Sequence, residues 1–203
     1  MRKFTALLAL FAAILAVALT PTVRAQYVAR NPDWQRMQDW RDALAMQLPL
    51  LGHRNWILVV DSAYPDQVGP GIETYETGAD MLPALKEVLT QIQNSIHLRP
   101  VIYLDAELPY VPDNSAPGVS DYRNQLTSML GDLEVHHRLH QTLIDQVAKD
   151  SQQYHILILK TRLAIPYTSV FINLRAKYWS DDNEHDLRQS MSGARIPGER
   201  PKP

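Results

Sequence analysis

Uninterrupted apolar runs alternate along this chain with segments in which apolar residues recur every three or four positions. The runs are typical of strands buried on both faces of a parallel sheet. They predict strands over residues 55–61, 101–105, 133–136, 154–160 and 170–174. The recurring pattern predicts helices over residues 32–48, 80–96, 120–130 and 138–149. This alternation predicts an α/β fold: a single domain with a mostly parallel sheet flanked by helices.

Loop signals separate these elements and set the expected domain boundaries. Residues 62–78 are rich in proline and glycine, which predicts a loop long enough to cover a site. Residues 108–118 contain three prolines and form a second predicted loop. Residues 180–203 are polar and charged with almost no apolar side chains, so we expect a disordered tail after a domain spanning residues 26–179.

The N-terminal residues have the organisation of a processing signal. Arg2 and Lys3 begin it, and an apolar run of 14 residues follows over positions 6–19. Val23-Arg24-Ala25 offers small residues at the cleavage positions. We therefore expect residues 1–25 to be a signal peptide and the protein to be periplasmic or secreted. The alternative is an uncleaved anchor, for which the apolar run is short.

Composition and charge exclude several classes of function. The chain of 203 residues has no cysteine, which rules out disulfides, thiolate nucleophiles and zinc–thiolate sites. Its formal charge is -2, and loss of Arg2, Lys3 and Arg24 with the signal peptide makes it -5. Neither nucleic acid nor an anionic membrane surface is therefore an expected partner. After processing we expect no membrane span.

A histidine and an aspartate flank the first predicted strand. His53 lies shortly before the apolar run 57–60, and Asp61 follows that run directly. Ligands of open α/β sheets gather outside the carboxyl ends of the strands, where Asp61 is expected. The two residues could handle protons, because histidine titrates near ~6.5 and a carboxylate can orient it. Asp105 also ends an apolar run, but no motif accompanies it, so a structural role is favoured there.

Two spaced motifs resemble those of the D-ribose pyranase / L-fucose mutarotase family. The first is Leu51-Gly52-His53, followed by Asp61 and then by Pro65 four positions later. The second runs from Lys160-Thr161 to Pro166-Tyr167-Thr168-Ser169 and leads into a final strand. The resemblance covers roughly residues 43–174.

This resemblance implies a fold, an activity and a set of site residues. The family has an α/β domain that assembles into homo-oligomeric rings, commonly decamers, with active sites between subunits. It needs no cofactor and interconverts ring forms or anomers of free monosaccharides. By resemblance, His53 is the acid/base residue, Asp61 orients it, and Tyr167 contacts the sugar. The second catalytic histidine corresponds to His137 or His140; we assign it to His140, which needs shorter insertions, and expect His137 to contact the substrate.

The chain departs from the family pattern at several positions. Arg54-Asn55 follows the histidine where the family has Thr-Asp or Gly-Asp, and Arg162-Leu163 replaces a Gly-Glu. Ser169 stands where the family has asparagine, so we expect a changed substrate contact there. These changes keep open a second hypothesis, a non-catalytic carbohydrate-binding or structural oligomer that kept the fold.

A histidine cluster raises a third hypothesis, a metal-dependent hydrolase. His136, His137 and His140 form a His-His-x-x-His pattern. Metal-ligand spacing on one helical face would require the helix to begin before the cluster, whereas a strand-to-helix change is predicted inside it. The pattern also lacks the adjacent glutamate of zinc proteases. We therefore predict no metal site.

Overall fold

The structure is a computed structural model that describes residues 32–192, with side chains described from Trp40 onward. The expected signal peptide, residues 1–25, lies outside the described residues, as do the start of the predicted domain at residue 26 and residues 193–203. These parts of the sequence analysis stay predictions.

Within the described range, helices and strands alternate as expected from the hydrophobic pattern. The helices are α1 (Pro32–Gln47), α2 (Met81–Asn94), α3 (Val119–Leu130), α4 (His140–Asp150) and α5 (Asp181–Met191), with a 3-10 turn at Leu108–Tyr110. The strands are β1 (Trp56–Val60), β2 (Ile72–Glu76), β3 (Leu98–Asp105), β4 (Val135–Arg138), β5 (Ile156–Lys160) and β6 (Val170–Ala176). Between residues 32 and 192, no helix has both the length and the apolar character that crossing a bilayer requires.

The six strands form one sheet in the order β2-β5-β1-β6-β3-β4. Strands β2, β5 and β1 pair in parallel, and β3 pairs in parallel with β4. Strand β6 lies between β1 and β3 and is antiparallel to both. The predicted α/β domain with a mostly parallel sheet flanked by helices is therefore confirmed, with one reversed strand in the middle of the sheet.

Apolar side chains cover both faces of the sheet. Strand β1 is buried at every position, and its successive residues point to opposite faces. Ile57 and Val59 belong to a core that also contains residues of α1, α2 and α3. Leu58 and Val60 belong to a second core on the opposite face, which Leu143 of α4 helps to close. One face thus carries three helices and the other carries α4.

Strand β2 lies in the segment that we expected to be a loop, so that prediction is wrong there. Its sequence Ile72–Glu76 has no apolar run, because it is an edge strand that pairs with β5 alone. Gly71 sets its start: a Cβ there would lie 2.2 Å from the carbonyl oxygen of Tyr154, so a larger residue does not fit. The close approach lets the Gly71 carbonyl accept a hydrogen bond from the N–H of Ile156 at 2.8 Å.

Helix α5 occupies part of the segment that we expected to be a disordered tail. None of its residues is buried, in keeping with the polar sequence. Its start is capped, because the Ser180 hydroxyl accepts a hydrogen bond from the N–H of Asn183 at 3.0 Å and acidic residues fill the first turn. Arg99 of β3 also pairs with Asp181 at 3.1 Å. Local capping and ion pairing thus favour a helix without apolar burial, so the expectation of disorder does not hold for residues 181–191.

Candidate functional site

Three strand ends bring polar residues together at one rim of the sheet, where β1 and β3 finish. We call this rim the Asp105 edge. Strands β1 and β3 end at this edge, whereas β6 starts there because it runs in the opposite direction. Val170 opens β6 and pairs with Val59 of β1 on one side and with Leu104 of β3 on the other. The polar residues that neighbour these three positions in the chain therefore meet: Asp61, Asp105 and Ser169.

His140 and Asp105 form a hydrogen-bonded pair at this edge. Nδ1 of His140 lies 3.0 Å from Oδ2 of Asp105. The aspartate side chain is fully buried, whereas the histidine side chain is 32 % exposed. His140 is also the first residue of α4, and its backbone N–H donates to both carboxylate oxygens of Glu107 at 3.1 Å. The histidine is thus held through its backbone and through its ring.

Burial controls the charge of Asp105. Desolvation raises the pKa of its carboxyl to about 6 against the opposing charge and hydrogen bond of His140, and Glu107 and Asp61 add to the rise. Its Oδ1 is buried and has no hydrogen-bond partner in the part of the chain that the structure describes. The charged form of this buried carboxyl group therefore depends on His140 for compensation.

Asp61 is fixed at the same edge by two hydrogen bonds. Its Oδ2 accepts from the Ser169 hydroxyl at 2.8 Å, and its Oδ1 accepts from the N–H of Ala63 at 2.9 Å. Only 8 % of the residue is exposed. Burial, followed by the charges of the two aspartates, raises the pKa of the phenols of Tyr64 and Tyr122. Both phenols therefore stay protonated beside the carboxylates.

Tyr167 reaches the site through a strained backbone. Its φ of 59° lies in the left-handed region, which is uncommon for a residue with a bulky side chain. Its ring meets the imidazole of His140 edge-on, with 5.6 Å between the ring centroids. Strain of this kind costs about 1–3 kcal/mol and is concentrated at functional sites. Here it holds a partly exposed aromatic ring beside the histidine.

This arrangement suits proton transfer to and from a hydroxyl group. A histidine whose Nδ1–H donates to a carboxylate presents Nε2 as a base, and the carboxylate stabilises the imidazolium that forms. The partial exposure of His140 and Tyr167 leaves both side chains accessible from solvent. Asp61 supplies a second, fixed carboxylate for contacts with other hydroxyl groups.

His53, by contrast, lies away from this edge. His53 precedes β1, whereas Asp61 directly follows it. The 5 residues of this strand separate His53 from Asp61 by roughly 16 Å. Burial lowers the pKa of His53, and the positive charges of Arg175 and Arg54 lower it further. The predicted orientation of His53 by Asp61 does not occur within one chain, because the two residues lie at opposite ends of the same strand.

The other residues singled out from the sequence lie at or near the Asp105 edge. Asp61, His140, Tyr167 and Ser169 meet there as described above. His137 lies in β4 opposite Leu104, with an exposed side chain. It is therefore close to the edge in the sheet but is not part of the hydrogen-bonded cluster around Asp61 and His140.

Asp105 and Glu107 are site residues that the sequence analysis missed. We gave Asp105 a structural role because no motif accompanies it. One signal was available, since β3 repeats the pattern of β1, an apolar run that ends in an aspartate. The contact with His140, 35 residues further along the chain, requires the parallel pairing of β3 with β4 and has no local signature.

The histidine cluster does not converge on one point. His136 hydrogen-bonds Glu134 at 2.8 Å and stacks on Tyr103 with 5.2 Å between ring centroids, whereas His140 turns to Asp105. The change from β4 to α4 between the histidines separates them. In residues 32–192, no three histidine, aspartate or glutamate side chains form a group that could hold a metal ion.

Comparisons with known proteins give a likeness in structure only. No protein-family model matches the chain, and no curated protein matches its sequence. Bacillus subtilis RbsD complexed with D-ribose is 17% identical over 66% of this chain and 91% of that chain, with a TM-score of 0.42. The fucose mutarotase in complex with L-fucose from Streptococcus pneumoniae is 16% identical over 66% and 91%, with a TM-score of 0.46. FucU from Bifidobacterium longum is 14% identical over 66% and 94%, with a TM-score of 0.44. At these values the likeness assigns no activity to this chain.

Proposed function

We propose that this protein interconverts ring forms or anomers of a free monosaccharide by proton transfer, without a cofactor. The observation that carries the proposal is the pair formed by His140 and the buried Asp105. The pair lies at the edge of the sheet where Asp61 and Tyr167 are also found. This combination offers a base, a carboxylate that orients it, and polar and aromatic groups suited to a sugar.

The proposed reaction opens and recloses a hemiacetal. Nε2 of His140 takes the proton of the anomeric hydroxyl while the bond between the anomeric carbon and the ring oxygen breaks and a carbonyl forms. The ring oxygen takes up a proton from solvent, to which the His140 side chain is 32 % exposed. When the same or another sugar hydroxyl closes the ring, it releases its proton to solvent and His140 returns its proton to the carbonyl oxygen. His140 is thereby restored to its starting protonation state. General acid–base help of this kind accelerates reactions by about 100-fold to 10,000-fold.

Each neighbour of His140 has a proposed role. Asp105 holds the imidazole in the tautomer with a free Nε2 and stabilises its charged form. Asp61 contacts a sugar hydroxyl, and Tyr167 packs its exposed ring against the sugar. Ser169, which we expected to contact the substrate, is buried and instead donates its hydroxyl to Asp61, so it positions that carboxylate. Within one chain, His53 has no part in the reaction.

Non-catalytic binding of a carbohydrate is the second candidate function. Ring opening needs a base and an acid, but both oxygens of Asp61 already accept hydrogen bonds and the residue is 8 % exposed. Asp61 is therefore poorly placed to act as the second proton-transfer group beside His140. A site with that limit could bind a sugar and leave its exchange rate unchanged.

Saturation-transfer NMR on several free pentoses and hexoses tests the proposal. We expect exchange faster than the buffer control with the wild-type chain, and a rate at least about 100-fold lower with His140→Asn. His185→Asn, the same change on the exposed face of α5, is the matched control and should keep the wild-type rate. If no sugar exchanges faster than in buffer, the catalytic proposal is overturned, and calorimetry then decides whether sugar binds at all.

We also propose that the protein is exported, because of the pattern of its N-terminal residues, and that it self-associates, as the resemblance to the pyranase/mutarotase family implies. Residues 1–25 carry the pattern of a signal peptide. N-terminal sequencing of the exported protein should begin at Gln26. Light scattering of the same sample measures the number of subunits, and a monomer would argue against the oligomer.

A further inference from the structure

We propose that a groove on the α4 side of the sheet binds a small polyhydroxylated anion, a sugar that carries a carboxylate or a phosphate group. We call it the arginine groove, after Arg54, Arg138 and Arg175 in its lining. Its cavity volume is about 430 Å³, in the range of pockets for small molecules. The residues that form the site around His140 do not line it, so this inference goes beyond the proposed function and does not depend on it.

Three positive charges meet in the arginine groove from three separate segments. Arg54 precedes β1, Arg138 ends β4, and Arg175 lies in β6. Within residues 40–192, no carboxylate lies within ion-pair distance of any of these guanidinium groups. Asp150 is the only acid among the described lining residues, and its oxygens already accept hydrogen bonds from Trp56 Nε1 at 2.9 Å and from a glutamine amide at 2.8 Å. Three guanidinium groups against the single carboxylate of Asp150 leave the lining with an excess of positive charge, for which an anion is the complement.

An asparagine amide adds neutral hydrogen-bonding groups to the charged lining. Asn173 of β6 lines the arginine groove and is 6 % exposed. Its side-chain amide has no hydrogen-bond partner among the described residues. Because this amide opens onto the groove, its donor and acceptor groups are available to a ligand that displaces water there. Hydroxyl groups can both donate to and accept from an amide.

Two of the three arginines, Arg54 and Arg138, contact tyrosine side chains that orient them. The φ of Arg54 is 77°, a backbone conformation that is uncommon outside glycine and is concentrated at functional sites. Its Nη1 donates to the phenol oxygen of Tyr154 at 3.0 Å. The guanidinium of Arg138 lies over the ring of Tyr103, 5.6 Å from its centroid. Preorganised guanidinium groups recognise planar carboxylates and phosphates through paired hydrogen bonds.

Titration calorimetry of the full-length wild-type protein tests this proposal with four probes. D-Glucuronate carries a carboxylate, glucose 6-phosphate carries a phosphate, glucose is neutral, and inorganic phosphate has no sugar. We expect one of the two sugar anions to bind more tightly than glucose and inorganic phosphate, and its identity tells carboxylate from phosphate recognition. Arg175→Gln should weaken this binding about tenfold or more, since a hydrogen bond to a charged group is removed.

Two further variants keep the test decisive. Arg138 lies on the edge strand β4, and Arg138→Gln should also weaken binding. This variant provides the test if Arg175→Gln fails to fold. Arg162→Gln is the matched control, because this exposed arginine pairs with Asp80 outside the groove, and it should bind like wild type. His140→Asn should also bind the anion like wild type, which separates this proposal from the proposed function.

The following results would overturn the proposal. One is equal binding of glucose and the sugar anions, and another is wild-type affinity in both Arg175→Gln and Arg138→Gln. Absence of anion binding up to about 1 mM is a third. Salt-sensitive self-association that these variants abolish would then assign the groove to an acidic surface of a second copy.

Discussion

The Nδ1–H of His140 donates a hydrogen bond to Oδ2 of Asp105, 35 residues earlier in the sequence, with 3.0 Å between the two atoms. The register of two parallel strands makes this possible. Asp105 is the last residue of β3 and pairs with Arg138, the last residue of β4, so α4 begins directly beside the aspartate. The pair therefore depends on strand pairing and on an immediate turn from β4 into a helix whose start Glu107 caps.

We expect the exchange rate to depend on the protonation of this pair. Because burial raises the pKa of Asp105 to about 6, the rate should rise as the pH passes through that region, where Asp105 ionises. Asp105→Asn should lower the rate about 100-fold and flatten this pH profile, because an uncharged amide does not ionise and does not stabilise the imidazolium as the carboxylate does. The measurement is the exchange rate by NMR between acidic and neutral pH. An unchanged profile in the variant would remove Asp105 from a positioning role.

The same pKa predicts a pH-dependent stability. The pKa of Asp105 is raised from 3.8 to about 6, so its protonated form is favoured in the folded state. Its contribution to the free energy of unfolding is therefore present below its unfolded pKa and is lost as the pH rises through about 6. Relative to Asp105→Asn, the wild type should lose up to about 3 kcal/mol over this interval. Urea unfolding of both proteins at several pH values measures the difference.

Asp113 gives a control of opposite sign for that experiment. Hydrogen bonds from Ser120 lower the pKa of this exposed carboxyl. Its contribution is therefore lost as the pH falls, so the wild type should weaken toward acid relative to Asp113→Asn. Parallel pH dependence of wild type and Asp105→Asn would show that Asp105 is not held in its neutral form by burial.

His53→Ala should leave the exchange rate unchanged. The residue lies at the other end of β1 from Asp61, near Arg54 and Arg175. The rate is measured by NMR with His140→Asn as the inactive reference. The expectation would be contradicted if His53→Ala were inactive and activity returned on mixing it with His140→Asn. That result would place His53 of a second copy in the site.

Tyr167→Gly should separate stability from activity. Glycine adopts the left-handed conformation at no steric cost, so the variant should be more stable than wild type by about 0.5–1 kcal/mol. It removes the ring beside His140, so the exchange rate should fall. Chemical unfolding measures the first effect and NMR the second. Tyr167→Phe is the control that keeps both the ring and the strain, and lower stability of Tyr167→Gly would show that the ring contacts outweigh the strain.

Much of the fold follows from local pattern. The run that forms β1 is apolar because every residue in it is buried, and the stripe of α2 marks the side that packs on the sheet. Strand β2 escaped this reasoning, because an edge strand with partly exposed residues has no apolar run. Helix α5 escaped it as well, because a capped helix without buried residues has no stripe.

The candidate site was predictable only in part. Asp61 was identifiable because it directly follows a buried strand, and Tyr167 because it stands in a recognisable motif. From the sequence, we place His53 in the same site because it is near Asp61 in the chain. An extended strand lies between these two residues, however, so their eight positions of separation hold them far apart. Asp105 was set aside because its partner is distant in the sequence.

The α/β class, the order of most elements and the aspartates that end β1 and β3 follow from the amino-acid sequence alone, since each depends on residues that are close together in the chain. The reversed direction of β6, the contact of His140 with Asp105 and the meeting of three arginines in one groove depend on the folded arrangement. Periodicity records which side of an element is buried. It does not record which distant element covers that side, because this depends on strand order, register and the packing of the whole core.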